Sequence, residues 1–374
     1  KKADTFFKPR FIAAINDRNL ISLNNRGTKI TNQFSWLTIK YIGRELFKLR
    51  FQFDKNKFAF ECTEEALFRE VTSALQNILT QSELKAIKFD LFDRNKPVNS
   101  YSPASAINRI LERSSLLKNP IYDVTLETIR SMLIYSQPNI NISEIPGIDK
   151  FLSIILDSLP FWSNIQTLSI SEMGIINPYK VTLQYASYFN SLKLLEINCK
   201  KSSDFPEFIK ELSTNEEGRQ KNLFSLSFTR SEFEKEDLSI LQDFIIKENI
   251  QGLELHDAIS RNTTLDFYTQ FLSTNMTKNL TILNLDHTKS IANDISIIVT
   301  KLSNLLALSL ADCSIEISET LHLLSRLQKL RILNLSNNTC RKVINGFPPS
   351  ITTLYMNSVS WCFQTLQLFL INLP

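Results

Sequence analysis

Among residues 161–374 the apolar positions recur as a hexad, apolar-x-x-apolar-x-apolar. It starts at Ile165-Leu168-Ile170 and returns at Leu192-Leu195-Ile197, Leu223-Leu226-Phe228, Ile250-Leu253-Leu255 and Leu280-Leu283-Leu285. Leu305-Leu308-Leu310, Leu330-Leu333-Leu335 and Ile351-Leu354-Met356 complete the series, at spacings of 21 to 31 residues. Alternation within each hexad predicts a short strand with every second side chain pointing inward. Between hexads the period lengthens to that of a helix. Leu238, Leu241, Phe244 and Ile245 mark one such segment, and Leu265, Tyr268, Phe271 and Leu272 another. Ile295, Ile298, Val299 and Leu302 mark a third, and Leu321, Leu324 and Leu327 a fourth. Before residue 80 the pattern is different: Phe11–Ile15, Leu20–Leu23, Phe34–Ile42, Phe47–Phe53 and Lys57–Cys62 read as strands. Asn24-Asn25-Arg26-Gly27 and Asp54-Lys55-Asn56 are the turns between them. Thr63 then caps a helix whose apolar face is Leu67, Phe68, Val71, Ala74, Leu75, Ile78 and Leu79.

A strand–helix unit repeated at this period, each copy burying its face against the next, is the signature of a leucine-rich-repeat solenoid. Helix-bearing repeats of this length resemble the ribonuclease-inhibitor class. Such repeats place a small polar residue three positions past the third apolar one, to bond the turn backbone. Asn338 and Cys313 occupy that slot, Thr288 and Ser231 are weaker versions, and Met173, Lys200, Ala258 and Val359 do not fit it. In the last repeat Gly346-Phe347-Pro348-Pro349 interrupts any helix. Between the two regions, Leu84-Ile87-Phe89 reads as one degenerate strand, Asn95–Ser105 as a loop, and Ile107–Leu117 and Phe151–Leu159 as helices. The expected division is a β-domain at 1–80, a linker and N-terminal cap at 81–160, and about eight repeats at 161–374. The fold class is therefore α/β, and more repeats are expected to follow in a longer parent.

Composition narrows the function. The chain has 43% hydrophobic residues, 7 glycines and 3 histidines. Scarce glycine argues against a phosphate-cradling loop, and scarce histidine against His-based catalysis or metal binding. Five scattered cysteines without a C-x-x-C spacing argue against a disulfide framework and for a reducing, cytoplasmic compartment. A non-enzymatic protein with no cofactor is the expectation. Net charge is uneven. Residues 1–80 hold 14 Lys+Arg against 8 Asp+Glu, or +6, and the remainder carries −2 of the overall +4. A basic β-domain suits an acidic lipid surface, and Lys8, Arg10, Arg18, Arg26 and Lys29 near strand ends are the candidate contacts. The slightly acidic repeats disfavour nucleic acid.

The residues between the buried hexad positions face the concave side of such a solenoid. They include Glu196, Arg230, Glu254, His256, Asp257, Asp286, His287, Asp312 and Tyr355, a polar and largely acidic strip suited to a protein partner with a basic or amide-rich surface. His256 and His287, with Asp257 and Asp286 beside them, invite a metal or hydrolytic reading, but no nucleophile accompanies them.

Strands followed by one helix is the order of a pleckstrin-homology (PH) domain. RFIAAINDRNLISLNNRG resembles its second and third strands and FSWLTI the next, the opening strand being short. FSWLTIKYIGRELFKLRFQFDKNKFAFECTEEALFREVTSALQNIL resembles the PH domain and helix of the CARMIL family, and SLPFWSNIQTLSI resembles that family's entry to its repeats. The resemblance covers most of the chain through architecture and short apolar motifs. It implies a scaffold linking membrane to actin machinery, peripheral at the plasma membrane or cell cortex. The family's capping-protein and myosin I segments lie beyond its repeats. A homodimer, a leucine-rich-repeat regulator of a small GTPase, and an adaptor or effector that captures substrates stay open as alternatives.

Overall fold

The computed structural model describes residues 12–24, 26–45, 48–54, 56–61, 65–90, 102–135, 138–162, 165–172, 177–185, 192–200, 203–214, 223–259, 279–288, 291, 294–344 and 347–371. The helix expected around Leu265–Leu272 lies outside these residues, as do Lys8 and Arg10. The chain divides into two compact units, residues 1–137 with 145–164 and residues 138–144 with 165–374.

The first unit opens with an antiparallel sheet of β1 (Ile12–Ile15), β2 (Asn19–Leu23) and β3 (Ile30–Ser35). The β1–β2 turn closes because the Asn16 side chain accepts the backbone N–H groups of Arg18 (2.9 Å) and Asn19 (2.7 Å), replacing ladder partners the turn removes. Gly27, at φ 70°, supplies the left-handed residue of the β2–β3 turn. The single strand expected over Phe34–Ile42 is broken by a 3₁₀ turn at Trp36–Thr38. Ser35 caps that turn through its hydroxyl, and the Trp36 indole donates to the Asn16 carbonyl at 2.9 Å. Burying the largest apolar side chain while satisfying its N–H outweighs strand continuity.

A second sheet, in the order β6-β5-β4-β7, joins β4 (Ile39–Glu45), β5 (Lys48–Phe53), β6 (Asn56–Glu61) and β7 (Lys88–Asp90). The segment expected as one strand over Leu84-Ile87-Phe89 is half helix: α2 (Gln81–Ala86) ends before β7 pairs parallel to β4. Thr80 and Glu83 form a reciprocal capping box there, a stronger local signal than the spacing of three apolar residues. Helix α1 (Glu65–Gln76) buries Val71, Ala74 and Leu75 in one core with Trp36, Phe51 and Phe53. Three further helices complete the unit: α3 (Pro103–Leu116), α4 (Asp123–Ile134) and α5 (Ile148–Ser158). The fully buried Arg109 of α3 ties α5 to the capping box. It donates to both Glu83 carboxylate oxygens at 2.8 and 2.9 Å, to the Ile78 carbonyl at 2.7 Å and to the Asp157 carbonyl at 2.8 Å. Burial alone would raise the Glu83 carboxyl, but the Arg109 hydrogen bond and charge win and hold it below the usual carboxylate range.

The second unit is built on a nine-stranded parallel sheet. Its strands are β8 (Asn139–Asn141), β9 (Thr167–Ser171), β10 (Leu194–Asn198), β11 (Ser225–Thr229), β12 (Gly252–His256), β13 (Ile282–Asn284), β14 (Ala307–Ser309), β15 (Ile332–Asn334) and β17 (Thr353–Tyr355). The hexad centres pair directly: Leu168, Leu195, Leu226, Leu253, Leu283, Leu308, Leu333 and Leu354 form one unbroken cross-strand row. Ile140 of β8 extends the row by one more strand. Helices α6 (Pro178–Tyr185), α7 (Phe205–Thr214), α8 (Lys235–Glu248), α9 (Ile295–Lys301) and α10 (Ile317–Leu324) connect successive strands. β16 (Thr339–Cys340) pairs with β18 (Ser360–Trp361), and α11 (Phe363–Ile371) follows. This is a leucine-rich-repeat-like solenoid.

Asn338 fills its expected slot. Its side-chain oxygen accepts from the backbone of Cys313 (3.1 Å) and Ile315 (3.2 Å), and its amide donates to the carbonyls of Leu310, Leu335 and Ser336. Cys313 donates its thiol to the Leu285 carbonyl at 3.2 Å, and burial pushes that thiol up to about 12. The Thr288 hydroxyl, by contrast, is buried without a hydrogen-bond partner.

Candidate partner-binding face of the repeat sheet

Alternation along each strand fixes which residues leave the core. One position past each hexad centre, the register runs Asn141, Ser169, Glu196, Ser227, Glu254, Asn284, Ser309, Asn334, Tyr355 across all nine strands. Two positions further on, Ser171, Asn198, Thr229 and His256 form a second row. The two rows line a depression of about 390 Å³ that takes in Glu196, Glu254, His256 and His287.

The turns after β11, β12, β13, β14, β15 and β17 share one geometry. Arg230, Asp257, His287, Asp312, Asn337 and Ser358, each four residues past a hexad centre, have positive φ between 47° and 63°. The N–H of each of the first five reaches into the next repeat: Arg230 to His256 (2.9 Å), Asp257 to Asp286 (3.1 Å), His287 to Ala311 (2.9 Å), Asp312 to Ser336 (3.0 Å) and Asn337 to Asn357 (2.9 Å). Asn, Asp and His tolerate the left-handed region better than most residues, which is why they collect there.

Electrostatics centre on His256. Its Nε2 lies 3.2 Å from a Glu254 oxygen and 3.3 Å from the Asn284 amide, and its Nδ1 lies 3.9 Å from Asp286. The Glu254 hydrogen bond raises its pKa against the opposing effect of burial, and the charges of Glu254, Asp286 and Glu196 add to the rise. Asp286 is itself held, accepting from the Ser309 hydroxyl (2.6 Å) and the Ala311 N–H (2.7 Å). His287 pairs with Asp312 at 2.8 Å, and both are exposed. Glu196 accepts from the Ser169 hydroxyl.

Of the concave-face residues singled out in the sequence, Glu196, Glu254, His256, Asp286 and His287 gather over β10 to β13, in the middle of the sheet. Arg230 is tied to Asn198 at 2.8 Å, Asp257 points from a turn, and Tyr355 sits on the last strand of the row, 48% exposed. Asn141 of β8 belongs to the face as well. Sequence reading missed β8 because Gln137 stands where the first apolar residue of the hexad would be. Among the described residues no three His, Cys, Asp or Glu side chains are grouped to hold a metal. The three described members of the expected lipid set do not converge. Arg18 lies at one end of β2, while Arg26 and Lys29 lie in the turn at its other end. No described helix is long and apolar enough to cross a membrane.

No family model and no curated protein matches the chain. The solved structures similar to the chain at low identity include two that differ in coverage. The functional domain of InlJ from Listeria monocytogenes, which includes a cysteine ladder, is 13% identical over 54% of this chain, with a TM-score of 0.28. The chain spans 41% of the length of that structure. A structural-genomics protein from Bacteroides fragilis is 11% identical, with a TM-score of 0.36, and covers 98% of this chain and 95% of its own. At this level of likeness the repeat fold rests on the chain's own sheet, whose register holds across nine strands.

Proposed function

We propose that the chain is a non-enzymatic scaffold whose concave sheet face docks a protein segment bearing Lys or Arg side chains. The observation that carries this is the gathering of Glu196 and Glu254 in one depression with Asp286 beside its His256, so that three carboxylates surround one partly buried histidine. A cation from a partner gains most where several carboxylates already share a partly desolvated surface. The fold supplies the rest, because a rigid row of strands positions these groups without any cost of ordering loops.

The finer reading is a CARMIL-like scaffold with a PH-like domain that brings actin machinery to a membrane. What supports it is the order of the first unit: three antiparallel strands, three more in a second sheet, then an amphipathic helix closing one core.

A random-peptide display library selected on the full chain tests the docking reading. Enrichment of Lys- and Arg-bearing sequences, lost on a Glu196→Lys/Glu254→Lys chain, is the expected result. Selection without basic enrichment, or binding that survives both reversals, sinks it.

A further inference from the structure

Past β13 the concave face changes character. One position before each hexad centre the register runs Gly252, Ile282, Ala307, Ile332 and Thr353 over β12 to β17. Alternation puts this row on the same face as Glu254, Asn284, Ser309, Asn334 and Tyr355, two positions further on. Over β12 the row offers no side chain, and a Cβ at Gly252 would overlap the Ser225 hydroxyl. From β13 on it is aliphatic and increasingly bare: Ile282 and Ala307 are half-buried, and Ile332 is 44% exposed. Leu306, whose carbonyl accepts the Ile332 N–H at 3.0 Å, is 41% exposed beside it. Tyr355, one strand further, is exposed as well.

Strand propensity accounts for a single β-branched residue on an open strand face. It does not account for Leu306, which precedes β14, or for the Tyr355 ring in the same neighbourhood. Exposed apolar side chains scattered singly are ordinary, whereas neighbouring ones mark a contact surface. Charge separates this end of the face from the other. Glu196, Glu254 and Asp286 lie over β10 to β13, while exposed Arg331 directly precedes Ile332. A partner cation is drawn to the first end and repelled from the second.

We propose that the face binds an extended partner segment that sets a Lys or Arg among the carboxylates and an aliphatic side chain on Ile332, Leu306 and Tyr355. The proposal rests on the docking reading and adds a second anchor and a spacing to it. From Glu254, the middle carboxylate, to Ile332 is three strands across the sheet and two residues back along the strand. At about 4.8 Å per strand and about 3.3 Å per residue the diagonal is roughly 16 Å. An extended chain covers that distance in about five residues, and a helix would need about eleven. The cation and the aliphatic residue are therefore about five positions apart in the partner.

The test is a display library selected on the full chain, its members carrying one fixed Leu with every other position drawn at random from Arg, Ser, Thr, Asn and Gly. A companion library has Ser in place of the Leu. The expected result is Arg enrichment about five positions from the Leu, on one side of it, with no such peak in the companion library. Ile332→Thr/Leu306→Ser changes exposed side chains and keeps a β-branched residue in the strand, so its thermal midpoint should stay in place. It is expected to bind the selected peptides about tenfold more weakly, the effect of one lost aliphatic contact. Tyr355→Ser, on a separate strand, should weaken them too. Arg enrichment at no fixed distance from the Leu, or equal binding to wild type and both variants, overturns the apolar anchor and leaves the docking of a cation standing. A peak about eleven positions away overturns the extended segment in favour of a helix. Absence of Arg enrichment from both libraries sinks the docking reading and this inference with it.

Discussion

Two residues in equivalent turn positions show how unequally the repeats are stabilised. Asn338 satisfies two buried N–H groups and three carbonyls at once, while the Thr288 hydroxyl is buried with no partner. Removing a side chain that satisfies buried donors strands them in a dry interior, at a cost of roughly 1–3 kcal/mol for each. Asn338→Ala should therefore destabilise the solenoid by about 3 kcal/mol, read as a shift in denaturant midpoint at constant slope. Thr288→Val keeps the volume and removes the unpartnered hydroxyl, so it should be neutral or stabilising. If both changes cost the same, the slot is a packing position and the hydrogen-bond account fails. The slot itself was legible in the sequence, because a polar residue at a fixed distance past a buried hexad has few other uses. The consequence for Thr288 was not, since whether a buried hydroxyl finds a carbonyl depends on turn geometry that spacing does not encode.

At the scale of the strand and its turn, His256 makes the concave face sensitive to pH. Its partners come from three repeats: Glu254 on its own strand, Asn284 on the next strand with Asp286 in the turn that follows it, and Glu196 two strands away, with the His287–Asp312 pair beside them. The Glu254 hydrogen bond raises the folded pKa above the unfolded value. A raised histidine stabilises the folded chain fully below the unfolded value, about 6.5, and that contribution is lost as pH rises through the folded pKa. His256→Gln should thus lose stability relative to wild type at mildly acid pH and match it on the alkaline side, as thermal midpoints across a pH series would show. The same proton governs docking. Protonated His256 already supplies the cation its carboxylates attract, so a Lys- or Arg-bearing peptide selected on the face should bind more tightly as pH rises through the folded pKa. A flat affinity profile, or one rising toward acid, would remove His256 from the face's electrostatics. The strands behind this cluster could be read from the hexads because eight apolar triplets coincide. Elements with one weak signal could not: β8 lacks its first apolar residue, and the Phe34–Ile42 run is broken by Trp36, whose indole seeks a partner outside the strand. The apolar end of the face escaped notice because Leu306, Ile332 and Tyr355 become neighbours only once cross-strand register is known.

Across the whole chain, the two units are interleaved in sequence rather than laid end to end. Residues 138–144 belong with the repeats, yet residues 145–164 return to the first unit before the repeats resume at 165. The reason lies in β8. The Pro138 carbonyl accepts from Gln166 and Thr167, Ile140 pairs with Leu168, and the Ser143 hydroxyl accepts the Ser171 N–H, so this short segment covers the edge of β9. An edge strand preceded by proline is a poor template for further pairing, and terminal repeats need such protection. A fragment begun at residue 161, where the hexads become clear, would bare the β9 backbone and the Leu168 and Ile170 row beside it. It should associate or unfold at lower temperature. A chain in which residues 138–144 are retained and joined to 165 by a short flexible linker should stay monomeric and melt higher. Light scattering after size exclusion and a thermal scan of the two fragments decide the matter. Equal midpoints with both fragments monomeric would mean that β8 adds nothing to the solenoid and that its pairing with β9 is incidental to the fold.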